Sequence, residues 1–364
     1  MSYTKLFRVP DYYPRFTCKC GSCRSTCCGG WGISLSLDEY LRLIGIDCTP
    51  ELRRRLDTAF HIADNPSPER YALVTPKWDG HCPLQREDGL CMLQRECGEE
   101  VLPSVCRYYP RAPRTYPFFE CSTSASCEHT LELLFETDTP VKFIDTELSF
   151  KLDIPPASMN SEIDTNYYIN MRKLAFRTVT DRSLTFADRL HILGEKLHEI
   201  DSTGFDKYHF ELDKTGNAVE NSALLFDSLC EDSATLQNYA DVCRKCAKSC
   251  CDDGSLSQRL SRLFPKLDIY FEKLFVNHIF YKGFPCSFDQ PTNHTLADEY
   301  APLCAAYALS VFVTAAALPD NPTLNDFVDI LASLFRVIEH SRFDTFIASI
   351  MKRQDITTNS LLKI

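Results

Sequence analysis

Short apolar patterns occupy the N-terminal third of the chain. In residues 32–45 an alternation of apolar and polar positions predicts a short strand, and Asp38 is then expected to cap a helix. Residues 49–63 predict a second helix, with Thr49 as its cap and three apolar positions on one face: Leu52, Leu56 and Phe60. Residues 71–75 and 116–122 are apolar and aromatic enough to form strands.

Helical periodicity dominates after residue 170. Four segments have one broad apolar face: 181–200, 262–280, 297–318 and 324–340. The stretch 137–169 between the two patterns is poorly periodic and is expected to be a connection. The predicted fold class is therefore α+β and predominantly α, with a cysteine-rich domain at 1–136, a connection at 137–169 and a helical bundle at 170–364.

The composition excludes some partners. The 364 residues are 44% hydrophobic and 24% charged, which is ordinary for a globular protein. The net charge is −11, and residues 1–130 contain 16 basic and 16 acidic residues, so no basic surplus predicts a nucleic-acid partner. The apolar run 310–319 is too short to span a membrane, and the N-terminus lacks a secretory apolar stretch. We therefore expect a cytoplasmic protein without a membrane partner.

The cysteines supply the candidate chemistry. The chain has 19, of which 12 lie from Cys18 to Cys127. In a reducing compartment such clusters more often indicate metal or redox chemistry than disulfides. Glycines at 21, 29 and 30 interrupt the first cluster, so it is expected to form a loop around an ion rather than a helix. Later thiols would complete the predicted ligand set, which is Cys18, Cys23, Cys27, Cys28, Cys82, Cys91, Cys106 and Cys127.

Eight thiols are enough for two four-ligand sites, or for one site and a packed shell of sulfur. Thiolates suit both zinc and iron–sulfur clusters, so the sequence leaves the metal open. A second cluster comprises Cys243, Cys246, Cys250 and Cys251, whose spacing places them on one face of a predicted helix. These thiols could either pack in a core or bind metal, and the sequence leaves the choice open.

The cysteine motifs resemble those of the flagellin lysine-N-methylase family, a group also described as zinc- or iron-chelating CxxCxxCC proteins. The first motif runs from Phe16 through the first cluster to Gly30-Trp31. It is followed by Cys82-Pro83, by Asp-Gly-Leu-Cys ending at Cys91, and by Cys-x-x-Tyr-Pro-Arg from Cys106 to Arg111. The last motif, Ser-Ala-Ser-Cys-Glu, covers residues 124–128 and lacks the proline usual in the family. The segments 266–285 and 335–344 resemble the family's helical tail.

The resemblance implies N-methylation of flagellin lysines with S-adenosylmethionine as methyl donor. The chain has neither a Gly-x-Gly-x-Gly loop nor the Cys-x3-Cys-x2-Cys spacing of radical enzymes that use the same cofactor. The alternative is therefore an accessory protein that binds a metal or cluster without methyl transfer. Candidates beside the thiols are Tyr108, Tyr109 and Arg111 for catalysis and Trp31 for the cofactor, with packing as the competing role of each. His81 and His129 could substitute as metal ligands.

Overall fold

The structure is a computed structural model that describes residues 2–30, 32–115, 117–151, 165–208, 217–231, 233–249, 254–285 and 295–364. The chain divides into two compact units. Residues 17–111 form one unit, which we call the cysteine domain. Residues 1–16 and 112–364 form the other, which we call the helical domain.

The strands of the described residues form two small sheets. Their bounds are β1 Ser2–Pro10, β2 Ser34–Leu35, β3 Phe60–Ile62, β4 Ala72–Val74, β5 Arg111–Arg114, β6 Glu120–Thr123 and β7 Phe143–Lys151. One sheet has the order β5-β6-β1-β7; β1 is parallel to β6 and antiparallel to β7, with Ser2 opposite Lys151 and Pro10 opposite Phe143. The other sheet, β2-β4-β3, lies in the cysteine domain.

Helices make up most of the described chain. Their bounds are α1 Leu37–Ile44, α2 Pro50–Ala59, α3 Met92–Cys97, α4 Ser104–Tyr108, α5 Glu128–Phe135, α6 Thr165–Val179, α7 Phe186–Ile200, α8 Ala218–Cys230, α9 Ala234–Gln237, α10 Ala240–Ser249, α11 Ser255–Leu263, α12 Leu267–Lys282, α13 Leu296–Ala317, α14 Leu324–His340, α15 Phe343–Arg353 and α16 Thr358–Leu362. The predicted class, α+β and predominantly α, is confirmed.

Local signals explain two of the helix boundaries in the cysteine domain. Thr49 caps α2 as predicted, because its side chain accepts a hydrogen bond from the Leu52 N–H at 3.2 Å. The predicted cap Asp38 is wrong: Ser36 caps α1, and Glu39 closes a reciprocal capping box with it. The helix predicted for residues 49–63 also ends earlier, since Phe60 begins β3.

The helical domain is organised around α12, α13 and α14. α13 has 22 residues and is long and apolar enough to cross a membrane, yet 89% of its most apolar stretch is buried. α12 is buried on almost every side. Its Glu272 carboxylate accepts two hydrogen bonds of 2.8 Å from Arg182 and one of 3.0 Å from Arg189. The carboxylate of Glu272 is therefore buried together with two guanidinium partners.

The observed domain limits differ from the predicted limits 1–136, 137–169 and 170–364. Strand β1 pairs along its whole length with β7, so the first residues of the chain join the helical domain. The predicted connection contains β7 and the first turn of α6. A pairing between residues so far apart in sequence leaves no local periodic signal. For this reason the sequence analysis assigned the residues of β1 to the cysteine-rich domain.

Candidate metal centre and the cavity of the helical domain

The loop 17–30 contains the first four predicted ligands. A 3-10 turn at Cys20–Ser22 reverses the chain, and Cys20 adopts a positive φ of 53°. The Cys20 N–H contacts the Cys18 sulfur at 3.3 Å. Cys18 is exposed, whereas Cys23, Cys27 and Cys28 are half-buried. The described part of the segment is a loop with one 3-10 turn and no α-helix, and its last three thiols are less exposed than Cys18.

Backbone contacts join the end of this loop to residues 80–82. The Cys82 N–H donates to the Cys28 carbonyl at 2.7 Å, and the Gly30 N–H donates to the Gly80 carbonyl at 3.3 Å. Gly29 and His81 form an isolated antiparallel bridge between them. Cys28 and Cys82 are therefore neighbours in space although 54 positions separate them in sequence.

A tight hairpin brings Cys91 to the same place. Gly89 occupies the turn with φ +77°, and the Gly89 N–H donates to the Arg86 carbonyl at 3.0 Å. Gln85 then bridges to Cys91 on the returning strand. The turn predicted from Asp88-Gly89 is present, and it places Cys91 beside Cys82 because both flank the same hairpin.

Cys106 lies on the short helix α4. Glu39 of α1 accepts a hydrogen bond from the Ser104 N–H at 2.6 Å, which fixes the first turn of α4. That contact also lowers the pKa of Glu39, although burial opposes the shift. α1 thus holds the segment that presents Cys106.

Four thiols influence one another electrostatically. Cys106 is an exposed residue by its accessible surface, yet its pKa is raised, first by the protein atoms around its sulfur and then by Cys28, Cys82 and Cys91. Burial also raises the pKa of Cys82 to about 11 and that of Cys91. The pKa of Cys28 is lowered, chiefly because the Cys27 thiol donates a hydrogen bond to it. Protons would have to leave most of these thiols before they could bind a metal.

The sulfur donors suit a metal that prefers thiolates, but the described side chains are not arranged as a coordination sphere. Cys28 and Cys82 are joined by a backbone hydrogen bond, Cys91 bridges to Gln85 across the hairpin, and Cys106 interacts electrostatically with all three of these thiols. Each of the four carries the donor atom that zinc and iron–sulfur clusters require. Among the described residues, no three His, Cys, Asp or Glu side chains are assembled as metal ligands. The metal centre therefore stays a prediction, now focused on these four of the eight thiols.

The remaining predicted residues lie in several places. Cys127 begins α5 in the helical domain, outside residues 17–111. Tyr108 ends α4 under the Arg107 guanidinium, 5.8 Å from its ring centroid; Tyr109 follows it, and Arg111 begins β5. Trp31 lies outside the described residues.

The two histidines differ in their surroundings. The charge of His81 acts on the Cys28 thiol and lowers its pKa, so His81 belongs to the region of the four thiols. His129 instead pairs with Glu132 at 3.1 Å and packs against Phe16 in the helical domain.

The second cysteine cluster packs where it is described. Cys243 and Cys246 lie on the buried face of α10 within the main apolar core. Burial raises the pKa of Cys243 to about 12, as expected of a thiol that fills space. These contacts favour packing for these two, and Cys250 and Cys251 lie outside the described residues.

The sequence did not reveal a buried polar network around the Ser-Ala-Ser-Cys-Glu motif. Ser124 donates to Glu339 at 2.6 Å, and the Ser126 hydroxyl lies 2.8 Å from Nε2 of His340. Glu339 also lies 2.8 Å from Nδ1 of His278. Glu339 and His340 both lie in the segment 335–344, which resembles the family's helical tail. That resemblance was the signal in the sequence that could have drawn attention to them.

The helical domain also contains a cavity of about 630 Å³ that opens to solvent, since Leu6, Arg8 and Asp145 in its lining are exposed. It lies among β1, β6, β7, α6 and α12, and its walls combine aromatic rings with charged groups. Glu120, Arg172 and Lys173 line it together with the ion pair of Arg8 and Asp145. A volume of this order accommodates a small organic molecule.

Gly21→Ala is expected to destabilise the cysteine domain by about 1–3 kcal/mol. A Cβ at Gly21 would stand 2.2 Å from the Asp88 carbonyl oxygen, so the first loop and the hairpin would have to separate. Gly32→Ala is the matched control, since its Cβ would meet no described atom within 4 Å. Tryptophan fluorescence during urea unfolding measures the difference, because both tryptophans of the chain lie in residues 17–111. Equal midpoints for the two variants would contradict the contact.

Comparison with known proteins agrees with the resemblance. Residues 255–364, from α11 to the C-terminus, match the family model of the FliB lysine N-methylase C-terminal domain. No curated protein and no solved structure matches the chain significantly. The matched region contains α12, α13 and α14, which form the core of the helical domain. Residues 255–364 of this chain are thus similar to the C-terminal domain of the flagellin lysine N-methylase family.

Proposed function

We propose that this protein transfers a methyl group from S-adenosylmethionine to lysine side chains of flagellin. The observation that supports the proposal is the match of residues 255–364 to a lysine N-methylase C-terminal domain. The cysteine motifs, which lie outside that match, resemble the same family independently. The cytoplasm is the compartment proposed for the reaction.

Methyl transfer makes physical demands that the chain's own residues must meet. The lysine amine has to lose its proton before it can attack, so its surroundings should be apolar or contain a base. The amine and the donor must also be held in line, because fixed orientation removes much of the entropic part of the barrier. The aromatic and charged cavity of the helical domain offers surroundings of this kind.

We further propose that a thiolate-bound zinc ion or iron–sulfur cluster belongs to the cysteine domain. Cys28, Cys82, Cys91 and Cys106 are its central ligands, and Cys18, Cys23 and Cys27 are the other candidates of this domain. Cys127, the remaining candidate from the sequence, lies in the helical domain. When bound, such a group holds its ligand loops together, and an iron–sulfur cluster also exchanges electrons. The residues of the chain would supply the thiolates, and the backbone contacts between residues 28–30 and 80–82, which hold Cys28 and Cys82 near each other, support the proposal.

Co-expression tests the proposed activity in cells. Flagellin is produced alone, with the wild-type chain, or with the Cys106→Ser variant, and its lysines are analysed by peptide mass spectrometry. We expect methylated lysines only with the wild-type chain. Unmodified flagellin in all three samples, from a chain that contains metal, would overturn the methyltransferase proposal and favour the accessory role.

A further inference from the structure

The cavity of the helical domain is lined on most sides by aromatic rings. Phe118 and Phe119 precede β6, Phe143 begins β7, and Tyr168, Phe176 and Phe280 face it from α6 and α12. Rings from four segments therefore border one space of about 630 Å³. Such walls favour a ligand with a flat, weakly polar body, because aromatic faces stack on planar rings.

The charges in the cavity are unevenly matched. The Glu120 carboxylate accepts from Arg172 Nη1 at 2.5 Å and from Arg114 Nη2 at 3.0 Å, so two guanidinium groups share one acid. Arg8 and Asp145 pair with each other through two hydrogen bonds of 2.9 Å. Among the lining residues Arg8, Arg172 and Lys173 outnumber Glu120 and Asp145, so a carboxylate on a ligand would find a cationic partner near Lys173.

Arg172 provides the point at which that group would bind. Its side chain is 9% exposed, and its guanidinium lies 4.8 Å from the ring centroids of both Tyr168 and Phe280. Within the described part of the chain its Nε–H is buried and has no acceptor. A buried donor without a partner is costly, so an acceptor from a ligand would relieve the cost. Lys173, the next residue of α6, is exposed at the same cavity and adds an ammonium group.

We propose that this cavity binds the methyl donor, an adenosyl amino acid, with the purine among the aromatic rings and the carboxylate at Arg172 and Lys173. The inference rests on the proposed function. Two cationic groups, the Arg172 guanidinium and the Lys173 ammonium, suit the two oxygens of a carboxylate. The donor's positive groups have the Asp145 carboxylate and the aromatic faces as partners. A donor site in this cavity would not use a Gly-x-Gly-x-Gly loop, so it is compatible with the absence of that motif from the sequence.

Calorimetric titration of the full chain with S-adenosylhomocysteine tests this site without requiring turnover. Ile169 lines the cavity from α6, so Ile169→Trp would fill it while leaving the ion pairs intact. Ile200→Trp is the matched control, because Ile200 is 48% exposed at the end of α7 and does not line the cavity. We expect Ile169→Trp to weaken binding at least about tenfold and Ile200→Trp to leave it unchanged.

A second variant tests the orientation. Lys173→Glu reverses the charge at the carboxylate position, so it should weaken S-adenosylhomocysteine about tenfold and leave adenosine, which has no carboxylate, unchanged. AMP is the third ligand, since it has the purine with a phosphate instead of an amino acid. Tighter binding of AMP than of S-adenosylhomocysteine would overturn the proposal in favour of a nucleotide site, as would equal affinity of the Ile169 and Ile200 variants for S-adenosylhomocysteine.

The test separates this inference from the proposed function. If Ile169→Trp still methylates flagellin at the wild-type rate, the cavity assignment fails while the methyltransferase stands. If wild-type chain binds S-adenosylhomocysteine in the cavity but modifies no flagellin lysine, the cavity assignment stands and the proposed substrate fails.

Discussion

Replacing Cys106 with serine is expected to remove most of the metal from the purified protein. Cys106 is the thiol whose pKa responds to all three other central thiols, Cys28, Cys82 and Cys91. A hydroxyl is a far poorer ligand for zinc or iron than a thiolate, and four-ligand sites rarely retain their metal after losing one ligand. Elemental and acid-labile sulfide analysis of protein prepared without oxygen measures the loss. Iron with sulfide would identify a cluster, and zinc alone a zinc site.

Cys97→Ser is the matched control for this experiment. Cys97 lies in the same domain at the end of α3, and it interacts electrostatically with Cys48 rather than with the four central thiols. We expect this variant to retain the wild-type metal content. Wild-type protein without metal would contradict the metal centre, and equal loss in both variants would contradict the choice of ligands.

Glu272→Ala is expected to lower the free energy of unfolding of the helical domain by about 3–5 kcal/mol. Glu272 is fully buried on α12, and it neutralises Arg189, which is only 2% exposed. Removing the carboxylate leaves the Arg189 guanidinium buried with backbone carbonyls of Leu184 and Val179 as its remaining acceptors. An uncompensated charge in a core is costly because hydration cannot replace the lost partner.

Far-UV circular dichroism during urea unfolding follows this domain through its helices. Asp227→Ala is the control, since it breaks the exposed pair of Asp227 with Arg244 and should cost less than about 1 kcal/mol. A similar shift of the unfolding midpoint in both variants would show that Glu272 does not hold a buried charge. Tryptophan fluorescence should change little in either variant, because both tryptophans lie in the cysteine domain.

Signals confined to a few neighbouring residues were sufficient to predict several parts of this structure. The Thr49 cap depends on one side chain and the backbone three residues later, and the turn at Asp88-Gly89 depends on glycine's access to positive φ. The helices α12, α13 and α14 were predicted for the same reason, because a helix repeats within four residues. The single apolar face predicted for each is confirmed for α14 and wrong for α12 and α13, which are buried on almost every side.

Contacts between distant segments could not be predicted in this way. The pairing of β1 with β6 and β7 moved both ends of the predicted cysteine domain into the helical domain. The close approach of Gly21 to Asp88 is likewise invisible until both loops are folded. The cavity is the clearest case, because Arg172, Glu120 and Phe280 come from three segments without a common motif.

The central claim is methyl transfer to flagellin lysines, and one measurement tests it most directly. Purified chain, prepared without oxygen and shown to contain metal, is incubated with purified flagellin and S-adenosylmethionine that is isotopically labelled in its methyl group. The account predicts that the label appears on lysine side chains of flagellin, and that S-adenosylhomocysteine is released in equal amount. Flagellin that stays unlabelled, with the donor intact and the metal still bound, would contradict the account and leave a metal-binding accessory protein as its replacement.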